Sequence, residues 1–400
     1  MSTRGRANAI RAAVEQRGQP SIDPLRSPEL DAVLSSCLAC KACTTECPSN
    51  VNLALLKAEL LKAELLKAEL LKAELLKAEL LHARIRRDGL PLRERLLSSV
   101  DLLGRLGRLM PSLANAALQW PWLRRLLAQT AGITARRPLP PYAAERFDHW
   151  FAHRVSPKSR TRGRVLLWDD TFVRYHEPHI GVAAVQVLEA AGFEVVLAQK
   201  RRCCGRPAFS QGNLDAAAQS GRYNLQLLTA VATDTPILFL EPSCYSMFAE
   251  DYRELGLNGS EEAAGRCFLL EPFLEDLLAR EPDALQFDAE PASVVIHAHC
   301  HAKSLTDATV MMRLGQRLPN RIVTMLDTGC CGMAGAFSAL EAKYDLSLRV
   351  AEPLVSAVRS QPAETIVVAS GTSCRHQIAH LTPVRPKHIA ELLAEALRVE

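Results

Sequence analysis

The chain has 400 residues, 48% hydrophobic and 23% charged, which excludes global disorder and leaves room for two domains with connectors. A net charge of +4 makes no case for nucleic-acid binding, and twelve cysteines are too sparse for a disulfide-stapled mini-protein. No uncharged apolar run is long enough to span a membrane, and MSTRGRANAIRAAVEQRG lacks the apolar core of a secretory signal. A cytoplasmic chain is expected, whose clustered, reduced cysteines serve metal or redox chemistry.

Residues 1–36 read as polar helix with a break at Gly18-Gln19-Pro20, and SPEL at 27–30 reads as a helix start. The next segment is CLACKACTTECP, with Cys37, Cys40, Cys43 and Cys47 followed by Pro48. The C-x2-C-x2-C-x3-C-P spacing is that of bacterial ferredoxins. A thiolate at every third position of a short loop can reach three irons of a cubane. The fourth cysteine turns away and, in two-cluster ferredoxins, serves the other cluster. Structural zinc more often takes two separated knuckles. Only one such run is present, so either Cys47 closes its own 4Fe-4S cluster or another chain supplies a second run. Residues 1–54 are therefore an incomplete α-helical ferredoxin-type domain.

Residues 55–79 are five copies of LLKAE, and LLHAR at 80–84 is a decayed sixth. Every residue is a strong helix former and the Glu-to-Lys spacing is favourable, so 55–84 predicts one long helix. Each copy advances about 500°, so successive leucine pairs are rotated by about 140° and spiral round the helix. No single partner face covers such a pattern, which reads as a tandem expansion of one native unit.

Residues 85–163 form a basic helical connector. Over 81–163 there are 16 Lys+Arg against 5 Asp+Glu, a local net of +11. The segments 92–109 and 114–127 are amphipathic, the second holding Trp120 and Trp122. They read as solvated helices over a core or as a surface for an acidic partner or anionic membrane.

From 164 onward short β-rich runs alternate with helical stretches, at 165–168, 194–197, 237–240, 294–297, 322–325 and 366–369. This predicts an α/β region with mainly parallel sheets. It is also a duplication, 164–290 and 291–400. Cys203-Cys204-Gly205 is followed 40 residues later by Cys244, and Cys330-Cys331-Gly332 is followed 43 residues later by Cys374. Cys300 precedes the second pair by 30 residues, and Asp170 the first by 33. The cysteines fall at the C-terminal ends of strands, where open α/β sheets bind ligands. Adjacent cysteines face one site only in a tight loop, which the following glycine permits. Gathered thiolates suit soft metals and iron–sulfur clusters above all. Only Cys267 has no place in the pattern.

These segments (CLACKACTTECP, CCGRPAFSQGNLD, LEPSC, HCHAKSL, DTGCCGMAG and SGTSCRHQI) together resemble the cysteine-rich CCG-domain iron–sulfur proteins. The resemblance is strongest to the C-terminal iron–sulfur part of bacterial FAD-linked 2-hydroxyacid oxidases. Iron–sulfur subunits of glycolate oxidase and anaerobic glycerol-3-phosphate dehydrogenase, and the cysteine-rich subunit of heterodisulfide reductase, are more distant. In that family each half carries Cys, Cys-Cys-Gly and C-x2-C. The second half matches at Cys300, Cys330, Cys331 and Cys374, with Gln377 in the last position. The first matches at Cys203, Cys204 and Cys244, with Asp170 in the first position and Met247 in the last.

The resemblance implies one or two 4Fe-4S clusters: one on Cys37, Cys40, Cys43 and Cys47, one on the second-half set with help from the first. His297, His299 and His301 flank Cys300 as candidates for proton transfer, ligation or structure. No flavin fingerprint is present, so FAD is expected on a partner dehydrogenase chain. STRGRAN at 2–8 resembles an internal stretch of the larger oxidases, which suggests a split or truncated version of them. The expected function is electron transfer from that flavin, after oxidation of lactate, glycolate or 2-hydroxyglutarate, towards a quinone or other carrier, with no nucleic-acid partner. The alternatives are a heterodisulfide-reductase-like thiol/disulfide oxidoreductase and a non-catalytic fragment.

Overall fold

A computed structural model describes residues 32–33, 35–38, 40–41, 73–156 and 161–398. Cys43, Cys47 and most of the LLKAE array lie outside them. Two parallel sheets carry the α/β region. The first has the order β2-β1-β3-β4, with β1 Arg164–Trp168, β2 Glu194–Leu197, β3 Ile237–Phe239 and β4 Cys267–Leu269. The second has the order β6-β5-β7, with β5 Ala292–Ile296, β6 Arg321–Met325 and β7 Ile366–Val368. Where the first sheet has β4, the second has a single parallel bridge, Val368 to Lys387.

Each of the six expected strand segments holds a strand. The unexpected one is β4, three residues long, with Cys267 and Leu269 buried and Phe268 outward. Cys267 donates to the Ala263 carbonyl at 3.0 Å inside the core, a structural place for the unmatched cysteine.

The strands alternate their faces, and this builds the core. Val165, Leu167, Leu238 and Leu240 of the first half share one buried cluster with Val294, Ile296, Val323 and Val368 of the second. Leu166, Trp168, Ile237 and Phe239 face a separate core, and Val295, Val367 and Ala369 a third. Helix Ile389–Glu395 packs on Pro178–Ala190 and helix Leu270–Arg280 on Val310–Gln316, so each half covers the other reciprocally.

The connector is more broken than its pattern predicts. Four helices run Leu92–Ser98, Val100–Gly107, Pro111–Gln119 and Pro121–Ala131. Pro111 and Pro121 start the last two, where a missing N–H costs nothing. The connector touches both halves: Asp101 accepts from Arg201 at 3.0 Å, and the Thr134 amide donates to Ala339 at 2.7 Å. It also holds eleven of the thirteen exposed large apolar side chains among the described residues, ten of them between 92 and 126.

Of the repeat, the described part is helix Ala73–Asp88. Ala78 is buried in the first-half core, Lys77 donates to the Cys37 carbonyl at 2.8 Å, and His82 meets the Gly212 carbonyl at 3.2 Å. This stretch is docked on the first half. Among the described residues no helix is long and apolar enough to cross a membrane.

Candidate metal centre

The two CCG turns are built alike. Gly205 has φ +90° and Gly332 φ +79°, in the left-handed region that favours glycine. A Cβ on Gly205 would lie 3.1 Å from Ala217 backbone, and one on Gly332 only 2.4 Å from the Ser347 carbonyl oxygen. Glycine thus lets a helix approach each cysteine pair. The first turn is further pinned by Tyr252, whose hydroxyl donates to the Cys204 carbonyl at 2.6 Å, and by Asn224, which donates to the Cys203 carbonyl at 3.1 Å.

Both turns open into one cavity of about 790 Å³ between the halves. Cys203, Cys204 and Cys244 line it from the first half, and Cys300, Cys330 and Cys331 from the second. Cys374 sits buried behind, in contact with Cys331. Cys40 of the first run lines the same cavity, close enough to Cys300 for its charge to act on that thiol. Cys37 is buried nearby but does not line it.

Two expected ligand positions are filled by other chemistry. Met247 is fully buried in the apolar core. Gln377, also fully buried, accepts from Arg137 at 2.5 Å and donates to Ser347 at 3.2 Å. At the strand ends, Asp170 caps helix Thr171–Tyr175, and His299 caps Cys300–Leu305 through the His301 amide at 3.1 Å. In helix register Cys300 is therefore matched by Thr171, one residue after Asp170, and both first-half residues line the cavity.

The thiols are crowded and dry. Cys204 and Cys244 sulfurs are 3.0 Å apart. Contact with Cys204 and then burial push the Cys203 thiol well above its usual range, and burial does the same to Cys204. For Cys244 the Cys204 contact lowers and burial raises, to about 11 overall. Contact with Cys330, then burial, pushes Cys300 well up. Such thiols ionise only when positive charge sits beside them. Among the described residues no three His, Cys, Asp or Glu side chains surround one ion-sized point. The donor set fits a larger soft group: sulfur on several walls of a cavity far wider than one ion requires.

The sequence reading did not single out the charges that frame the site. Arg206 donates to Asp251 at 2.9 Å and meets His301 at 3.4 Å across the halves. Asp251 also accepts from Lys41 at 3.1 Å, which ties the first cysteine run to the first half. Burial raises and Lys41 and Arg206 lower the Asp251 carboxyl, and the net shift is down. Arg201 is fully buried, donating to the Asp169 carbonyl at 2.8 Å, and its charge acts on Cys203. Glu241 accepts from the Thr372 amide at 2.8 Å and so bridges the halves. RRCCGR was the visible signal, basic residues packed round thiols.

The comparisons agree with this geometry. A family model described as "Cysteine-rich domain" (CCG) matches residues 170–249 and 294–379. A subunit of the anaerobic glycerol-3-phosphate dehydrogenase of Escherichia coli (strain K12) is 27% identical over 314 residues, 76% of this chain and 77% of that protein. The probable glycolate oxidase iron-sulfur subunit of Bacillus subtilis (strain 168) is 23% identical, over 99% of this chain and 88% of its own length. D-2-hydroxyglutarate dehydrogenase of Pseudomonas putida is 26% identical over 92% of this chain, which spans about a third of its length (35%). The chain thus carries two copies of the cysteine-rich CCG domain, with their cysteine pairs on one cavity.

Proposed function

We propose that the chain is the iron–sulfur electron-transfer component of a flavin-linked dehydrogenase acting on a small 2-hydroxyacid. The observation that carries this is the single cavity on which Cys40 and both CCG cysteine groups converge. Cys300, Cys330, Cys331 and Cys374 would hold one 4Fe-4S cluster. Cys37, Cys40, Cys43 and Cys47 would hold another, with Cys40 facing the CCG site. Bound there, such clusters supply one-electron carriage at a potential set by burial and hydrogen bonding. The chain's own residues keep the thiols dry, place Arg201 and Arg206 as counter-charge, and hold the halves together through Glu241. Similarity to a subunit named iron-sulfur, and to dehydrogenases and oxidases, supports this role.

Hydride removal from the substrate falls to FAD on a partner chain. The heterodisulfide-reductase-like alternative asks for a last cysteine in each half, and Met247 and Gln377 hold those places in the interior. The exposed leucines and tryptophans of 92–126, interleaved with arginines, suit the surface of an anionic membrane. Sedimentation with anionic but not zwitterionic vesicles checks that contact. For the electron-transfer reading, the anaerobically reconstituted full chain should show broad visible absorption and an EPR signal on reduction. Absence of both would refute it.

A further inference from the structure

A second cavity, of about 800 Å³, opens at the C-terminal end of β2 and shares no lining residue with the cysteine cavity. Its walls hold seven cationic side chains and one carboxylate, Asp148. Five of the seven share four carboxylates. Arg105 and Arg201 pair with Asp101 at 2.8 and 3.0 Å, Arg174 with Asp169 at 2.6 Å, Arg154 with Glu189 at 2.8 Å, and Arg146 with Asp148. Lys200 and Arg202 are exposed and have no ion pair among the described residues. Arg201, between them, is fully buried, and its Nη2 has no hydrogen-bond partner. The local excess is about three positive charges, in a concave site that concentrates their field.

The turn that carries these charges is fixed. Lys200 has φ +59°, a left-handed conformation uncommon for a residue with a side chain. Tyr223, on helix Leu214–Leu228, donates its hydroxyl to the Lys200 carbonyl at 3.1 Å, and the Arg202 guanidinium lies 4.1 Å over its ring. Asn224 accepts from the Arg202 amide at 3.0 Å. Backbone strain and like-charge repulsion are thus both held at one rim, which a ligand bringing the missing negative charge accounts for.

We propose that this cavity binds a small anion bearing two or more negative charges on clustered oxygens, a phosphate ester or a dicarboxylate, seated between Lys200 and Arg202 above the buried charge of Arg201. Arg202 offers a planar fork that matches paired carboxylate or phosphate oxygens, and Lys200 a point charge. A monoanion would leave most of the excess unmet. The volume is that of a small-molecule pocket rather than of a bare ion's site. The site lies outside the cysteine cavity and does not depend on the iron–sulfur reading.

The test is calorimetric titration of the full chain at pH 8 and fixed ionic strength with methyl phosphate, succinate and lactate. The proteins are wild type, Lys200→Gln, Arg202→Gln, the double variant, and Arg280→Gln as a surface control outside the cavity. One of the two dianions should bind the wild type at one per chain and about tenfold tighter than lactate, and the tighter one identifies the oxyanion class. Each single substitution should weaken it about tenfold, the double variant should abolish it, and Arg280→Gln should leave it unchanged. Thermal melts show that the exposed substitutions leave the fold intact. No saturable binding of either dianion, lactate binding as tightly as both, or equal affinity in wild type and a folded double variant would overturn the proposal.

Discussion

The two CCG halves share a fold but not a ligand set. Each has a central strand ending in a capped helix, and a cysteine pair with a left-handed glycine. Yet the second carries four matched cysteines and a single bridge in place of a fourth strand, whereas the first carries three matched cysteines and β4. The lesson is that different forces maintain fold and chemistry. Alternating apolar faces and two cramped glycines preserve the scaffold. The residues at the matched positions are free to change from cysteine to Asp170, Met247 or Gln377.

The sharpest way to break the comparison is at the glycines. Gly332→Ala sets a methyl 2.4 Å from a carbonyl oxygen at positive φ and should cost about 4 kcal/mol or prevent folding. Gly205→Ala, with 3.1 Å contacts, should cost about 2 kcal/mol. Urea titration checks the order, and equal costs would mean that the tighter approach at Gly332 does not set the difference.

Next come the anchors. The first half is tied to the first cysteine run through the buried Lys41–Asp251–Arg206 group. Asp251→Asn should leave two cations underpaired and cost about 3–5 kcal/mol. The second half is tied to the connector by the Arg137–Gln377 bond, and Gln377→Leu should cost about 2 kcal/mol. A reversed order would show that the neutral anchor dominates.

The smallest effect expected is on pH dependence. His388 meets the Leu240 carbonyl across the halves at 3.1 Å, and burial, with Arg375 adding, lowers it to about 3. Its folded form rejects a proton that the unfolded form accepts. Its stability contribution is therefore complete above about pH 6.5 and lost as pH falls towards 3. Between pH 6.5 and pH 5 the loss should be about 1.6 kcal/mol, and His388→Gln should remove it. Asp170 opposes this: burial, then Glu241, raises it to about 7, so its charging subtracts stability as pH rises from about 4 to 7. Denaturation midpoints across this range, for wild type and His388→Gln, check the sign.

Much of this was legible in the chain. Strand alternation, the 40- and 43-residue offsets and the CCG glycines are local or periodic signals, and they located six strands and the cavity's cysteines. β4 escaped because three residues with one buried cysteine make no periodic pattern. Arg137 and Gln377 lie 240 residues apart, and the match of Cys300 with Thr171 appears only when the helix caps are aligned. Such long-range pairings leave no mark on local sequence. The break at Pro111 falls between the two expected segments, whereas those at Ser99 and Pro121 interrupt segments whose amphipathic pattern runs on.

The central claim is that the second-half cysteines hold an iron–sulfur cluster used for electron transfer. The direct measurement is iron and acid-labile sulfide per full chain after anaerobic reconstitution, with EPR of the reduced protein, for wild type and Cys331→Ser. The account predicts that Cys331→Ser lowers iron by about four per chain and removes one reduced-state EPR signal. Equal iron content and identical spectra in the two proteins would contradict it.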